Sequence, residues 1–318
     1  MARSALVSRQ IDEARAVSRV FWLASYPKSG NTWFRLLVAS YRRQGAVDIN
    51  DLTERHGLAS SRGWFDHVMM FPSGLLTHEE CDRARPLLYA ARDGVSDDRE
   101  LEEMWTRTDG AQFVKTHDAY TRNGDGRPLM GGRAAAEGVI LIVRDPRDVC
   151  ASLANHNGAT LDQAIWFMAN PDSTFCGESD RQPNQLRQRL LGWSGFASSW
   201  LDQTDLPVHL IHYEDMQEDA ARALRAGLSF AGVEAHEQDV ALAARAADFA
   251  ELQRQERERG FREAPPRVRG GFFRRGTSGG WRDELTPEQA GRIERQHLPM
   301  MRRLGYLPMN EGEEGPVS

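Results

Sequence analysis

The chain has 318 residues with 40 Lys or Arg against 46 Asp or Glu, a formal net charge of −6, 40% hydrophobic and 27% charged residues. Those proportions suit a globular protein with a buried core and exclude a collagen-like, coiled-coil or largely disordered chain. The mild acidity argues against a nucleic-acid partner, no run of 18 apolar residues offers a membrane span, and no signal-peptide pattern opens the chain.

Residues 1–18 read as a polar lead-in with some helical character. Residues 20–25 (VFWLAS) form an apolar run of strand length, followed by YPKSGNT and then by helical spacing over 33–43. A second strand is expected at 112–116 and a third at 139–143 (VILIV). The third ends in RDPRD, where Asp145 suits an N-cap, Pro146 the first helical position and Asp148 the first turn. Residues 208–212 read as a further strand. Helices are expected at 183–202, 219–230, 237–252 and 287–304. Strands alternating with helices imply βαβ units, hence an α/β fold with a central, mainly parallel sheet flanked by helices in three layers. Residues 44–110 and 253–285 read as irregular. The acidic tail, 309–318, is expected to be disordered. Cys81, Cys150 and Cys176 form no C-x-x-C pair. Neither a disulfide framework nor a cysteine zinc site is expected, and a cytoplasmic location follows.

Four clusters carry chemistry. A strand feeding a small-residue loop at a helix N-terminus is an anion site, because unpaired backbone N–H groups and the helix dipole point at it. Lys28, Ser29, Gly30, Asn31 and Thr32 have that form, although a plain strand–helix turn would use similar residues. Lys precedes Gly, so this is not the nucleotide P-loop GxxxxGK[ST]. Arg144 emerges at a strand's C-terminal end, where open α/β sheets bind ligands, and Ser152 follows eight residues later. A capped helix with surface arginines would explain the same stretch. FFRRGTSGGW at 272–281 pairs Arg274 and Arg275 with a flexible Gly276 loop, suited to phosphate or to solvent. Lys115-Thr116-His117 puts an ammonium and an imidazole on one face of a strand. Only Lys28 and Lys115 are lysines in the whole chain. Composition bias could leave two by chance, or two sites need a compact ammonium that Arg cannot replace.

Read in order, YPKSGNTW at 26–33, KTH at 115–117, RDPRD at 144–148 with Ser152, YEDM at 213–216 and FFRRGTSGGW resemble the motifs of sulfotransferases that use 3′-phosphoadenosine 5′-phosphosulfate (PAPS). The resemblance spans roughly residues 20–285. It implies a P-loop-like fold, one sulfotransferase domain over 1–308, and PAPS as co-substrate with no metal. By the same resemblance Lys28 to Thr32 hold the phosphosulfate, and Trp33, Tyr213 and Phe249 line the nucleotide. Arg144, Ser152, Arg274, Arg275 and Gly276 hold the 3′-phosphate. His117 is the base, Lys28 neutralises the leaving oxygen, and Lys115 stabilises the sulfuryl group. Departures occur at Asn31, where Thr is common, at Asp118-Ala119, where Leu-Pro is common, and at Gly280, where Asp is frequent.

The acceptor is a small molecule bearing a hydroxyl, or alternatively an amine. Insertions at 44–110, 155–185 and 253–272 are expected to cover it. Trp64, Phe65, Trp166, Phe167 and Phe175 suit an apolar or aromatic body, or else core packing. Glu54, Asp66 and Asp118 suit amines or sugar hydroxyls, or else solvated surface. The Arg-rich, Lys-poor composition is that of a GC-rich bacterial genome and points to a natural product or glycoside. A P-loop kinase or phosphotransferase is the competing enzyme class; it needs a Mg²⁺ carboxylate and a Gly before Lys28, and neither is evident. Oligomeric state is left open.

Overall fold

The apolar runs become strands with two buried faces. The computed structural model describes residues 19–52, 58–91, 107–178, 183–265, 268 and 270–309. β1 (Arg19–Ser25) runs into α1 (Asn31–Arg43), and α2 (Arg62–Met69) and α3 (His78–Ala90) precede β2 (Ala111–Thr116). β3 (Gly138–Val143) feeds α4 (Pro146–Asn157), then α5 (Leu161–Ala169) and a hairpin of β4 (Thr174–Phe175) and β5 (Gln188–Arg189). After α6 (Gly192–Leu201) come β6 (Val208–His212), α7 (Tyr213–Glu218), α8 (Ala220–Phe230), α9 (Glu237–Ala246), α10 (Phe249–Arg259) and α11 (Pro287–Arg303).

The four long strands pair in the order β2-β1-β3-β6, all parallel. Their side chains alternate between two cores. Trp22, Ala24, Val114, Leu141 and Val143 pack on one side with residues of α3 to α6 and α11. Phe21, Leu23, Phe113, Ile140 and Ile142 pack on the other with residues of α1 and α8 to α10. A parallel sheet covered on both faces explains why these strands read as unbroken apolar runs. It also sets every strand's C-terminal end on one rim, so the loops after β1, β2 and β3 converge there.

The N-terminus of α4 is as expected: Asp145 accepts from Arg147 N at 2.9 Å and Pro146 follows the cap. Three expectations change. Residues 183–191 are extended, not helical. Their backbone bonds leave the segment, as Leu186 N→Ser60 O (2.8 Å) and Leu190 N→Ser173 O (2.9 Å). Leu191 takes φ 59°, and α6 begins only after it. Leu186 and Leu190 are buried by crossing the core, which imitates helical spacing. The expected helix at 237–252 is split at Ala247, and Asp248 caps α10 through Ala250 N at 2.9 Å. Residues 44–110, expected to be irregular, contain α2 and α3. The expected helical lead-in at 1–18 and the tail beyond 309 lie outside the described residues. Among the described residues no helix is long and apolar enough to cross a membrane, and no disulfide joins Cys81, Cys150 or Cys176.

Candidate active site

The loop from β1 to α1 is built to leave its backbone open. Lys28 adopts φ 70° and Gly30 φ 105°. Gly30 is needed twice over, because a Cβ there would also lie 2.6 Å from Tyr213 Cδ2. Asn31 ties the loop to the strand, donating from Nδ2 to Leu23 O (2.9 Å) and Ser25 Oγ (3.2 Å). That anchoring is what the amide at this position contributes. Ser29 is turned inward and fully buried, and its backbone N–H is bonded to Tyr26 O at 3.3 Å.

Around this loop lies a cavity of about 1390 Å³. It has room for a nucleotide and a second molecule side by side. Every residue expected at the site lines it except Ser29: Lys28, Gly30, Asn31, Thr32, Trp33, Lys115, His117, Arg144, Ser152, Tyr213, Phe249, Arg274, Arg275 and Gly276. These come from six separated stretches of chain, brought together by the parallel sheet and by α10.

His117 follows β2 directly and points back at β1. Its Nδ1 lies 2.7 Å from Ser25 O, a carbonyl that can only accept, so Nδ1 carries the proton and Nε2 keeps its lone pair. Burial, then the neighbouring Lys115 cation, push its imidazole down to about 3. The ring is therefore neutral across the physiological range, with the Nε2 lone pair available to accept a proton. Phe175 stands edge-on to it, with ring centroids 6.5 Å apart.

The two lysines meet the same segment of chain. Lys28 Nζ sits 3.5 Å from the centroid of the Phe272 ring. Burial, then the nearby Arg144 and Lys115 cations, push it down to about 7. Lys115 Nζ pairs with Glu263 at 3.3 Å, and Glu263 in turn takes Arg35 at 2.9 Å. Burial alone would raise the Glu263 carboxyl, yet Lys115 and Arg35 together hold it down to about 2.

At the other end Arg144 bridges two loops. It donates to Lys28 O (3.3 Å) and Thr277 O (3.1 Å) and stacks 4.2 Å over the Tyr213 ring. Its Nε is buried with no hydrogen-bond partner. The 272–281 loop is held against α4 by Asp148, which accepts from Gly279 N (2.7 Å) and Trp281 N (2.8 Å). Gly276 closes on Phe249, where any Cβ would come within 2.3 Å of the ring. Trp33, Tyr213 and Phe249 form an aromatic box, with Trp33 fixed through Nε1 to Ala247 O at 2.9 Å. The split between α9 and α10 makes that contact possible. Arg274 is engaged by Glu284 at 2.5 and 2.9 Å, and Arg275 lies 3.4 Å from Asp283.

Beyond the motifs the structure adds His156 and Glu263 to the cavity wall, and it places Phe167 and Phe175, two of the expected acceptor-side aromatics, there as well. His156 follows Ser152 by one helical turn, a spacing that marks it from sequence. Its imidazole is pushed down to about 3 by burial and by Lys28 and Lys115. Nothing in the sequence ties Glu263 to Lys115, 148 residues away. Trp64 and Phe65 are core instead, with Trp64 stacked on Tyr89 at 5.9 Å. Asp66 braces a turn through Ser73 N at 2.7 Å, and Glu54 lies outside the described residues. Asp118 is neither at the cavity nor solvated: it is fully buried against Arg85.

The sulfotransferase-domain family profile matches residues 135–305, more than half of the chain. This chain belongs to the sulfotransferase family. No curated protein sequence matches it. The sulfotransferase's fold resembles that of mouse sulfotransferase SULT7A1 complexed with PAP, at 18% identity and TM-score 0.53, covering 90% of this chain and 85% of that one. It also resembles retinol dehydratase in complex with androsterone and the inactive cofactor PAP, at 16% identity and TM-score 0.54, covering 92% and 82%. Retinol dehydratase with retinol and PAP gives 17% identity and TM-score 0.51, covering 90% and 82%. The enzyme therefore carries the α/β sulfotransferase fold on a sequence far from these relatives.

Proposed function

We propose that the enzyme transfers a sulfuryl group from PAPS to a hydroxyl of a small, largely apolar acceptor, with His117 as base. The observation that carries this reading is one cavity lined by both lysines, by His117 with a free Nε2, and by Arg144 with an unpartnered buried Nε. The residues fit a nucleotide with an anion at each end. Lys28, Gly30, Asn31 and Thr32 would receive the phosphosulfate, with Ser29 supporting the loop from behind. Trp33, Tyr213 and Phe249 would hold the adenine side. Arg144, Ser152, Arg275 and Gly276 would take the 3′-phosphate, with Arg274 held by Glu284 as the loop's brace or freed to join them.

PAPS supplies the sulfuryl group, whose bond to the phosphate oxygen breaks as the acceptor oxygen bonds to sulfur. His117 Nε2 accepts the acceptor's hydroxyl proton, while Nδ1–H to Ser25 O keeps the ring in the productive tautomer. Lys28 places a positive charge where the leaving oxygen becomes anionic, and Lys115 supports the group in transit. Phe167 and Phe175, stacked 5.9 Å apart, would wall the acceptor side together with His156. Such a wall suits an aromatic natural product or glycoside, and the absence of a disulfide need suits the cytoplasm.

Calorimetry with PAP against ATP, with and without Mg²⁺, tests the nucleotide. PAP is expected to bind, with ATP weaker; tighter or Mg²⁺-dependent ATP binding would overturn the reading. A PAPS-fed acceptor screen read by mass spectrometry then identifies the acceptor and separates hydroxyl from amine.

A further inference from the structure

The residue after the proposed base is tied by three side-chain hydrogen bonds, yet it faces away from the site. Asp118 and Arg85 are both 0% exposed. Arg85 grips the carboxylate with both Nη atoms, Nη1 reaching Oδ1 at 3.3 Å and Nη2 bonding Oδ2. Arg189 N donates to Asp118 Oδ1 at 3.1 Å. The Asp118 N–H is held by Thr116 Oγ1 at 3.0 Å, and its C=O by Trp200 Nε1 at 3.0 Å. One residue is thus fixed from α3, β5, α6 and its own strand.

We infer that Asp118, paired with Arg85, is a positioning residue for sulfuryl transfer: it sets the strand end that carries His117 and the hairpin wall that faces it. This rests on the reading of His117 as base. Two lines of geometry carry it. The His117 ring is tethered at Nδ1 alone, to Ser25 O at 2.7 Å with Ser25 Oγ 3.4 Å away, so its placement depends on where residue 118 holds the backbone. The same carboxylate also anchors β5. On that strand the Arg189 backbone N–H donates to Asp118 while its neighbour Gln188 lines the cavity opposite Phe175, the residue edge-on to His117. Asp82 reinforces the arrangement, accepting from Arg187 at 2.6 Å and Arg189 at 2.8 Å. None of Arg85, Asp82 and Asp118 lines the cavity, so the network acts on the reaction only through His117 and the hairpin. Stability alone does not account for it, because a buried ion pair contributes little over an apolar pair of similar size.

The test uses Arg85→Leu with Asp118→Leu, which removes both charges together, and Asp118→Asn, which breaks the pair. Wild type, both variants, His117→Ala and His117→Ala with Asp118→Asn are compared on the full chain. The double-leucine variant is expected to fold and bind PAP within about twofold of wild type. Its His117 Nδ1–H NMR signal should exchange with water severalfold faster than in wild type. Transfer to the acceptor found in the screen should drop on the order of 10- to 100-fold in kcat. If the double-leucine variant does not fold, Asp118→Asn is read the same way below its unfolding transition. Wild-type exchange and wild-type kcat in a folded variant would overturn the inference. In the His117→Ala background Asp118→Asn should add no further loss of kcat, its remaining effect through the hairpin being a higher acceptor KM; an additive loss of kcat also overturns the inference. His117→Ala turning over at the wild-type rate would instead defeat the reading of His117 as base.

Discussion

The two ends of the cavity are built by different means. The end holding Lys28 and Arg144 grows from the C-terminal ends of parallel strands, where loop position follows from topology and capping. The end holding Phe167, Phe175 and Glu263 is made by α5, a hairpin of two-residue strands and the stretch after α10, placed by contacts far apart in sequence. The first end can be rigid before any ligand arrives. The second is held by side chains, among them the buried Arg85–Asp118 pair. On the proposed function, reaction class belongs to the sheet and acceptor choice to the segments around it.

The sharpest break in that comparison is His117→Ala. Losing a positioned base should cost on the order of 10²–10⁴-fold in kcat, with PAP affinity nearly unchanged. Stopped assays and calorimetry on one preparation check both halves. Next comes Lys28→Arg, which keeps a charge but replaces a compact ammonium with a fork behind Phe272. A loss on the order of 10²-fold in kcat is expected, and near-normal turnover would detach Lys28 from the leaving oxygen.

A smaller effect lies in the pH dependence of PAP binding. Lys28 is pushed down to about 7 in the free enzyme, and a bound phosphate favours its ammonium form. Below that pH the lysine is already charged, so affinity should be flat. Above it binding must take up a proton, and affinity should fall by up to about tenfold per pH unit. Titrations in two buffers of different ionisation heat would register the proton, and Lys28→Met should abolish the uptake. The mildest change is Phe175→Ala at the acceptor end. It should raise the acceptor KM roughly tenfold through lost aromatic packing, leaving the PAP Kd alone. A shift in PAP affinity would show that the two ends are not separable.

What was legible in the sequence follows the same divide. β3 and the start of α4 read directly, because GVILIV is buried on both faces and Asp145-Pro146 punctuate the helix. The strand–loop–helix around Lys28 read equally well. Residues 183–191 misled, because burial of Leu186 and Leu190 in an extended segment produced a helical period without a helix. Gln188 and Phe175 could not be matched across β4–β5, since two-residue strands have no pattern to read. Asp118 looked like surface, yet its charge is answered by Arg85, 33 residues earlier, a pairing that no local rule predicts.

Lys28 holds one more consequence. It is a side-chain-bearing residue in left-handed backbone at φ 70°, a conformation that costs on the order of 1 kcal/mol outside glycine. Lys28→Gly would relieve that strain and free the loop from sheltering a buried ammonium. Laboratory evolution for heat tolerance alone would thus be drawn to discard this lysine, and a library screened by melting temperature should enrich Gly at position 28 while its sulfuryl-transfer activity disappears.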